Sequence, residues 1–247
     1  MVNSRTLLLT FYSYSYSIVN ILAIFAHPDD EISCLGALAK HAARGDHVKL
    51  VWTTYGELAS QFGNTPAAQV QATRESHGRF VAQTIGASYQ FFDMGDSKML
   101  GSREEALALA RLYAEFKPDA IITWDDFNRH PDHRATAKIA FDALTFVRIP
   151  KILNEGRTDT LEPHRAAITF YQYVCSDSNR PVVHVDISHT FDIALKIRDY
   201  YAEFYKWTWS SDDFRSSRAT WGQAVGVKYA ERFTIQRSVH PPLEYLV

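Results

Sequence analysis

Two short segments of this chain combine imidazole and carboxylate side chains in a way that suits metal-assisted hydrolysis. The first reads AHPDDE at residues 26–31, and the second reads HPDH at residues 130–133. Imidazole nitrogens and carboxylate oxygens are good ligands for Zn²⁺, and a catalytic zinc site uses three protein ligands and leaves one position open for water. His27, Asp30 and His133 would form such a set, so the two segments are candidates for a metal centre.

The remaining acids and imidazoles of the two segments have roles that the same chemistry requires. Asp29 would lie beside the metal and take a proton from the bound water, and His130 would stabilise an oxyanion or protonate a leaving group. Asp132 would orient one of the histidines. Each segment alone could instead be ordinary turn or helix-cap chemistry, with Asp29 or Asp30 as the capping residue. Together, the six acid and imidazole groups to which these roles are given are costly at one sheet edge unless a cation compensates them, which favours the metal site.

Predicted strands precede both segments, and this determines whether the segments can meet. Apolar, β-rich runs predict the first strand at residues 18–26 and the fourth at residues 119–124. Two more strands are predicted at residues 47–54 and 89–92, and helices follow the four strands at residues 33–44, 67–84, 102–116 and 131–146. Repeated strand–helix units predict a parallel sheet, and the doubly wound order makes its first and fourth strands neighbours. The two segments are therefore expected side by side at the carboxyl edge.

The whole chain is predicted to form one α/β domain. A Rossmann-like core, with a mostly parallel sheet and helices on both faces, is expected over residues 18–149, after an N-terminal extension at 1–17. Residues 150–247 are interpreted as an extension of the same domain, since no linker rich in Gly, Ser or Pro separates them. Strands at 166–174 and 181–187 and a helix at 191–205 are predicted there. Eleven aromatic residues between Tyr200 and Tyr245 indicate packing or a homo-oligomer interface, with a sugar-stacking surface as the alternative.

Composition and charge exclude several classes of protein. The 26 Lys and Arg residues against 28 Asp and Glu residues leave no basic field for nucleic acid or a membrane surface. Cys34 and Cys175 are too few for a disulfide scaffold, and a cytoplasmic location is expected. The uncharged run at residues 6–26 is interrupted by Tyr and Ser and lacks a signal-peptide core, so it is interpreted as an extension rather than a membrane span. No GxGxxG motif follows the first strand, which argues against a dinucleotide-binding site. The GxSxG motif of the usual α/β serine hydrolases is also missing.

The paired motifs resemble those of the LmbE-like (PIG-L) superfamily of zinc-dependent N-deacetylases, which remove acetyl groups from N-acetylglucosamine units. Weaker likenesses lie at Tyr55-Gly56-Glu57, Arg74-Glu75, Asp96 and KYAERF at residues 228–233. There are also departures: Asn128 stands where some members have a Tyr, and an H-x-S-Q signature is not evident near the C-terminal helix.

The resemblance implies a role for each candidate residue. Zinc, or another divalent metal such as Fe²⁺, would be bound by His27, Asp30 and His133. Asp29 would be the general base and His130 the acid or oxyanion partner. A third set would bind the sugar, namely Glu57, Arg74 and Asp96.

The predicted function is hydrolysis of an N-acetyl group from an N-acetylglucosamine-type amino sugar or glycoside, with metal-bound water as nucleophile. A small-molecule substrate is the expected partner. Two alternatives remain open. One is a non-catalytic, metal-containing protein with a sugar-binding or regulatory role. The other is a zinc hydrolase of a non-sugar amide or a ring-opening substrate.

Overall fold

A seven-stranded sheet forms the centre of the computed structural model, which describes residues 17–175 and 179–236. Its strands are β1 (Asn20–Phe25), β2 (His47–Trp52), β3 (Ser88–Phe91), β4 (Ala120–Thr123), β5 (Thr169–Tyr173), β6 (Val182–Asp186) and β7 (Ala230–Gln236). The strand order is β3-β2-β1-β4-β5-β7-β6. The first five strands in that order are parallel, and β7 pairs antiparallel with both β5 and β6. The α/β class and the adjacency of β1 and β4 are as predicted.

Seven helices pack on the sheet. They are α1 (Leu35–Arg44), α2 (Ala67–Ile85), α3 (Arg103–Phe116), α4 (Pro131–Phe146), α5 (Pro150–Leu153), α6 (Phe191–Tyr205) and α7 (Ser211–Gln223), within the described ranges. The five predicted helices correspond to α1, α2, α3, α4 and α6. A short 3₁₀ turn over Asp30–Ser33 precedes α1, so the last two residues of the first motif lie in a helical turn. None of the helices in the described ranges is both long and apolar enough to cross a membrane.

The centre of the sheet is buried on both faces, which explains the unbroken apolar run of the first strand. Ile21, Ala23 and Phe25 of β1 belong to the core layer that contains α1 and α6. Leu22 and Ile24 belong to the layer that contains α3 and α4. Strands covered on both faces lack polar alternation. The β1 strand is therefore fixed between two layers, and it positions the first motif at the carboxyl edge of the sheet.

The C-terminal part of the chain contributes three elements that the sequence pattern did not predict, namely α5, α7 and β7. The α7 helix buries few side chains, including Phe214 and Arg218, so its amphipathic pattern is weak. Several aromatic residues of this part are buried in the core, for example Tyr201 and Phe233, which agrees with the packing interpretation. Tyr245 and the extension at residues 1–16 lie outside the described residues.

Candidate active site

The two motifs meet at the carboxyl edge of the sheet, where β1 and β4 end side by side. His27 Nδ1 lies 3.3 Å from His133 Nε2. Asp30 places Oδ1 at 3.3 Å from His133 Nε2 and Oδ2 at 3.6 Å from His27 Nδ1. Ligand atoms at zinc-bond lengths in a tetrahedral site are about 3.3–3.6 Å apart. The three side chains therefore have the donor chemistry of a divalent-metal site, and the two Asp30 distances involve different oxygens. Among the described residues, the groups whose ligand atoms all lie within 4.8 Å of one another are His27, His130 and His133, and His27, Asp96 and Asp132.

The carboxylate of Asp30 is fixed through one of its two oxygens. Oδ2 accepts hydrogen bonds from the backbone N–H of Ala26 at 3.2 Å and of His27 at 2.9 Å, and from Trp124 Nε1 at 3.0 Å. Burial alone would raise the pKa of Asp30, but hydrogen bonds with His133 and His27 hold that pKa well below its usual range. Asp30 is therefore an ionised carboxylate with Oδ1 directed to the His133 side.

The far side of the His27 ring is held by two more carboxylates. His27 Nε2 lies 3.3 Å from Asp132 Oδ2 and 3.4 Å from Asp96 Oδ1. Burial would lower the pKa of His27, but Asp132, Asp30 and Asp96 raise it to about 12. The same negative field that holds a proton on this ring favours a cation on its Nδ1 side. Asp132 therefore lies against the ring that it is predicted to orient.

His133 is oriented by its own loop and by the residue that follows β4. Its Nδ1 lies 3.0 Å from Asn128 Oδ1, and the same oxygen accepts the backbone N–H of His130 at 2.9 Å. The imidazole stacks on Trp124 with ring centroids 4.0 Å apart and planes 8° from parallel. With Nδ1 donating to Asn128, Nε2 is the nitrogen that remains for a ligand position.

Asp29 has a strained backbone and an arginine partner. Its φ of 111° is unusual for a residue with a side chain, and its backbone N–H donates to Glu31 Oε2 at 3.0 Å. The carboxylate Oδ2 lies 3.2 Å from Arg74 Nη1, and Arg74 also donates to the carbonyl of Pro28. Burial raises the pKa of Asp29 to about 6, and the charge of Arg74 opposes that rise. This combination suits a proton acceptor near neutral pH.

His130 caps the N-terminus of α4 and contributes its ring to the site. Its Nδ1 accepts the backbone N–H of Asp132 at 3.2 Å, so the neutral ring carries its proton on Nε2. The ring centroid lies 4.9 Å from that of His27 and 4.6 Å from that of His133. Burial, followed by the charges of His133 and His27, lowers the pKa of His130. The ring is therefore a hydrogen-bond donor beside the candidate ligands.

A cleft of about 430 Å³ opens beside these groups. Its lining combines the catalytic candidates with two loops, comprising His27, Asp29, Gly56, Leu58, Ala59, Ser60, Gln61, Arg74, Asp96, Ser97 and His130. Arg74 and Asp96, which are both predicted to bind the substrate, line this cleft. Glu57 is not among the lining residues, because its Oε1 accepts the backbone N–H of Asp96 at 3.1 Å and supports the neighbouring loop.

Sequence reasoning missed several residues that hold the site together. Glu31 is fully buried and accepts hydrogen bonds from Tyr201 Oη at 2.7 Å and Trp52 Nε1 at 3.1 Å, besides that from Asp29. Burial raises the pKa of Glu31 to about 7. Tyr173 donates its hydroxyl to the carbonyl of Asp30 at 2.9 Å. The only local signal was the position of Glu31 at the end of the first motif, since its partners are remote in sequence.

Known proteins resemble this chain in sequence and in fold. A diacetylchitobiose deacetylase of Thermococcus kodakarensis is 23% identical over 219 residues, which cover 85% of this chain and 80% of that protein. A 4-oxalmesaconate hydratase of Pseudomonas putida is 26% identical over 159 residues, or 58% of this chain and 61% of that protein. The solved structure of N,N'-diacetylchitobiose deacetylase from Pyrococcus horikoshii shares the fold, with a TM-score of 0.72 at 23% identity, over 88% of this chain and 83% of the other.

The family comparison covers the part of the chain that contains both motifs. The model of the PIG-L family, described as GlcNAc-PI de-N-acetylase, matches residues 22–144. That range begins in β1, includes both motifs and ends in α4. This chain belongs to the PIG-L family.

Proposed function

We propose that this protein is a metal-dependent N-deacetylase that hydrolyses the N-acetyl group of an amino sugar or glycoside. The observation that carries the proposal is that His27 lines one cleft together with Asp29 and His130 and lies next to the other two candidate ligands, Asp30 and His133. The similarity to a diacetylchitobiose deacetylase supports the reaction class and the kind of substrate.

A divalent cation, with zinc as the best fit to the donors, would be held by His27, Asp30 and His133. Two imidazole nitrogens and one carboxylate oxygen are a common catalytic zinc set. Such a cation polarises an acyl carbonyl and lowers the pKa of a nearby water. Asp132 and Asp96 keep the His27 ring turned so that Nδ1 faces the other ligands.

Asp29 is the general base of the proposed reaction. It takes a proton from the water that attacks the acetyl carbonyl carbon. Its pKa of about 6 leaves the carboxylate mostly ionised at pH 7, yet more basic than an exposed aspartate. Arg74 keeps the carboxylate aimed into the cleft through its ion pair with Oδ2. The strained backbone of Asp29 is stabilised by the hydrogen bond that Glu31 accepts.

His130 supplies a hydrogen-bond donor. Its Nε2–H donates a hydrogen bond to the oxyanion that develops when water adds, and the proton that Asp29 took from the water passes to the departing amine as the carbon–nitrogen bond breaks. The products are acetate and the free amino sugar. Capping of α4 through Nδ1 fixes the tautomer that this role needs.

The cleft wall beyond the reacting groups suits a polyhydroxylated ligand. Asp96 accepts the backbone N–H of Leu58 through Oδ2, and its Oδ1 lies near Ser97 Oγ and His27. Arg74 lies against the rings of Phe62 and Tyr205, with its guanidinium carbon 5.5 Å and 5.0 Å from the two ring centres. We assign Asp96 and Arg74 to sugar recognition and Glu57 to support of the Asp96 loop.

A second candidate reaction is hydration of an unsaturated acid, which the similarity to 4-oxalmesaconate hydratase favours. A panel of N-acetylated sugars, simple amides and unsaturated dicarboxylic acids separates the two reactions. Acetate release from the sugars supports the proposal. Water addition to the unsaturated acids, without acetate release from any sugar, would replace it.

The assignment of the base is tested with Asp29→Asn, and Asp142→Asn serves as a control because Asp142 pairs with Lys138 on the exposed side of α4. Loss of the general base lowers kcat by about 10²–10⁴-fold, with the zinc content unchanged. Asp142→Asn keeps wild-type kcat. A fully active Asp29→Asn enzyme would refute the base assignment.

A further inference from the structure

We infer that Trp124 is a positioning residue that holds two of the three candidate ligands, one through its indole N–H and the other through its ring face. Nε1 donates to Asp30 Oδ2 at 3.0 Å. The ring lies parallel to the His133 imidazole, with centroids 4.0 Å apart. The inference rests on the metal site of the proposed function, and it assigns a role to a residue outside both motifs.

The indole is itself held by the two strands that flank β4. Phe25 of β1 and Tyr173 of β5 meet its ring edge to face, with centroids 6.0 Å and 5.0 Å away and interplanar angles of 86° and 85°. The carbonyl of Trp124 accepts a hydrogen bond from Gln172 Nε2 at 3.0 Å. Because Trp124 directly follows β4, the indole links all three strands and has little freedom to turn.

Each contact of the indole restricts a different motion. The hydrogen bond to Asp30 Oδ2 completes a set of three N–H donors, which leaves Oδ1 for the ligand position. The stacking contact blocks one face of the His133 ring, whose edge is fixed by Asn128. Outer partners that orient metal ligands typically change metal affinity by about 10–100-fold when they are removed. Trp124 acts on two ligands at once, so it is expected at the upper end of that range.

Two substitutions separate the two contacts. Trp124→Phe keeps an aromatic face against His133 and removes the N–H donor, whereas Trp124→Leu removes both. Trp209→Phe is the matched control, because Trp209 packs on Phe214 and Arg198 and not on the ligands. Zinc affinity is measured without substrate, by competition with a chromophoric chelator. We expect binding weaker by about 10-fold for Trp124→Phe and about 100-fold for Trp124→Leu, and unchanged binding for Trp209→Phe.

A spectroscopic readout distinguishes positioning from a general packing role. The visible absorption of bound Co²⁺ depends on the geometry of its ligands, so it should change in both Trp124 variants and stay as wild type in Trp209→Phe. Wild-type zinc affinity and Co²⁺ spectra in both Trp124 variants would overturn the inference, as would an equal loss of affinity in Trp209→Phe. Failure of the wild-type protein to bind zinc would instead refute the metal site of the proposed function.

Discussion

The two motifs of the candidate site are held in place by different means. Residues 26–31 depend on partners far away in sequence, such as Tyr201 for Glu31 and Trp124 for Asp30. The two histidines of residues 130–133 depend on neighbours within a few positions, since Asn128 holds His133 and His130 caps its own helix. Asp132 differs from them, because its contacts are with the remote Ser97 and His27. The first motif therefore depends on remote parts of the fold, whereas the histidines of the second motif are held locally.

The helices that follow the two motifs show the same difference. At the start of α1, the backbone N–H groups of Gly36 and Ala37 donate to Glu231 of β7 at 3.0 Å and 2.8 Å. At the start of α4, the cap is the His130 side chain itself. A carboxylate at a helix N-terminus also interacts favourably with the helix dipole. The described residues of the C-terminal part thus support the first motif, and none of them lines the cleft.

The largest predicted effect comes from removing the acidic ligand of the first motif. Asp30→Ala removes a ligand and leaves three N–H donors without their acceptor, so zinc content should fall from about one per chain to nearly none. Acetate release should become undetectable. Elemental analysis of wild type and variant, prepared side by side, measures the change. Equal metal content in both proteins would mean that Asp30 is not a ligand.

A change at the second motif should affect turnover without removing the metal. His130→Gln keeps a polar side chain at the cap but loses the imidazole, and kcat should fall by about 10²–10³-fold because an oxyanion donor is lost. Zinc content and thermal unfolding should stay close to wild type. Loss of zinc from His130→Gln would show that the metal is bound by the histidine trio His27, His130 and His133, whose ligand atoms lie within 4.8 Å of one another.

The fold was predictable from the sequence wherever periodicity and flanking signals agreed. The helix over Pro131–Phe146 and the adjacency of β1 and β4 followed from apolar runs and from chain topology. Those two features also predict that the two motifs lie side by side at the carboxyl edge of the sheet. The helix α7 was missed because few of its side chains are buried, which leaves little hydrophobic pattern.

The supports of the first motif were not predictable, for a physical reason. Glu31 and Glu231 are buried acids whose partners are 21 to 195 residues away, apart from the Asp29 N–H next to Glu31. Such pairings depend on how elements pack, and neither residue type nor spacing encodes them. A local hydrogen bond, such as that between Ser102 and Glu105 at the start of α3, was predictable because its spacing is a recognised cap.

The contrast between remote and local support can be measured as stability. Glu31→Ala leaves three donors without their acceptor, so we expect a loss of about 2–4 kcal/mol in the free energy of unfolding. Asn128→Ala, which changes the local support of the second motif, should cost about 1 kcal/mol. Urea unfolding of the metal-free variants provides both values. Equal losses would contradict the distinction between the two motifs.

The smallest predicted effect concerns the remote cap of α1 and depends on pH. Burial raises the pKa of Glu231 to about 7, against the opposing charge of Arg218, whereas the ordinary value is 4.5. Between these values the folded protein binds more protons than the unfolded chain, so this residue's contribution to stability decreases as the pH rises.

Glu231→Gln removes that proton-binding difference and keeps the shape of the side chain. The difference in the free energy of unfolding between wild type and Glu231→Gln should therefore change by about 1–2 kcal/mol from pH 5 to pH 7, because the wild type becomes less stable relative to the variant. All other titratable groups are the same in both proteins, so their effect largely cancels in the difference. Urea unfolding at pH 5, 6 and 7 measures it. A difference that is independent of pH would mean that Glu231 is ionised throughout, and that the remote cap acts as a fixed charge at the N-terminus of α1.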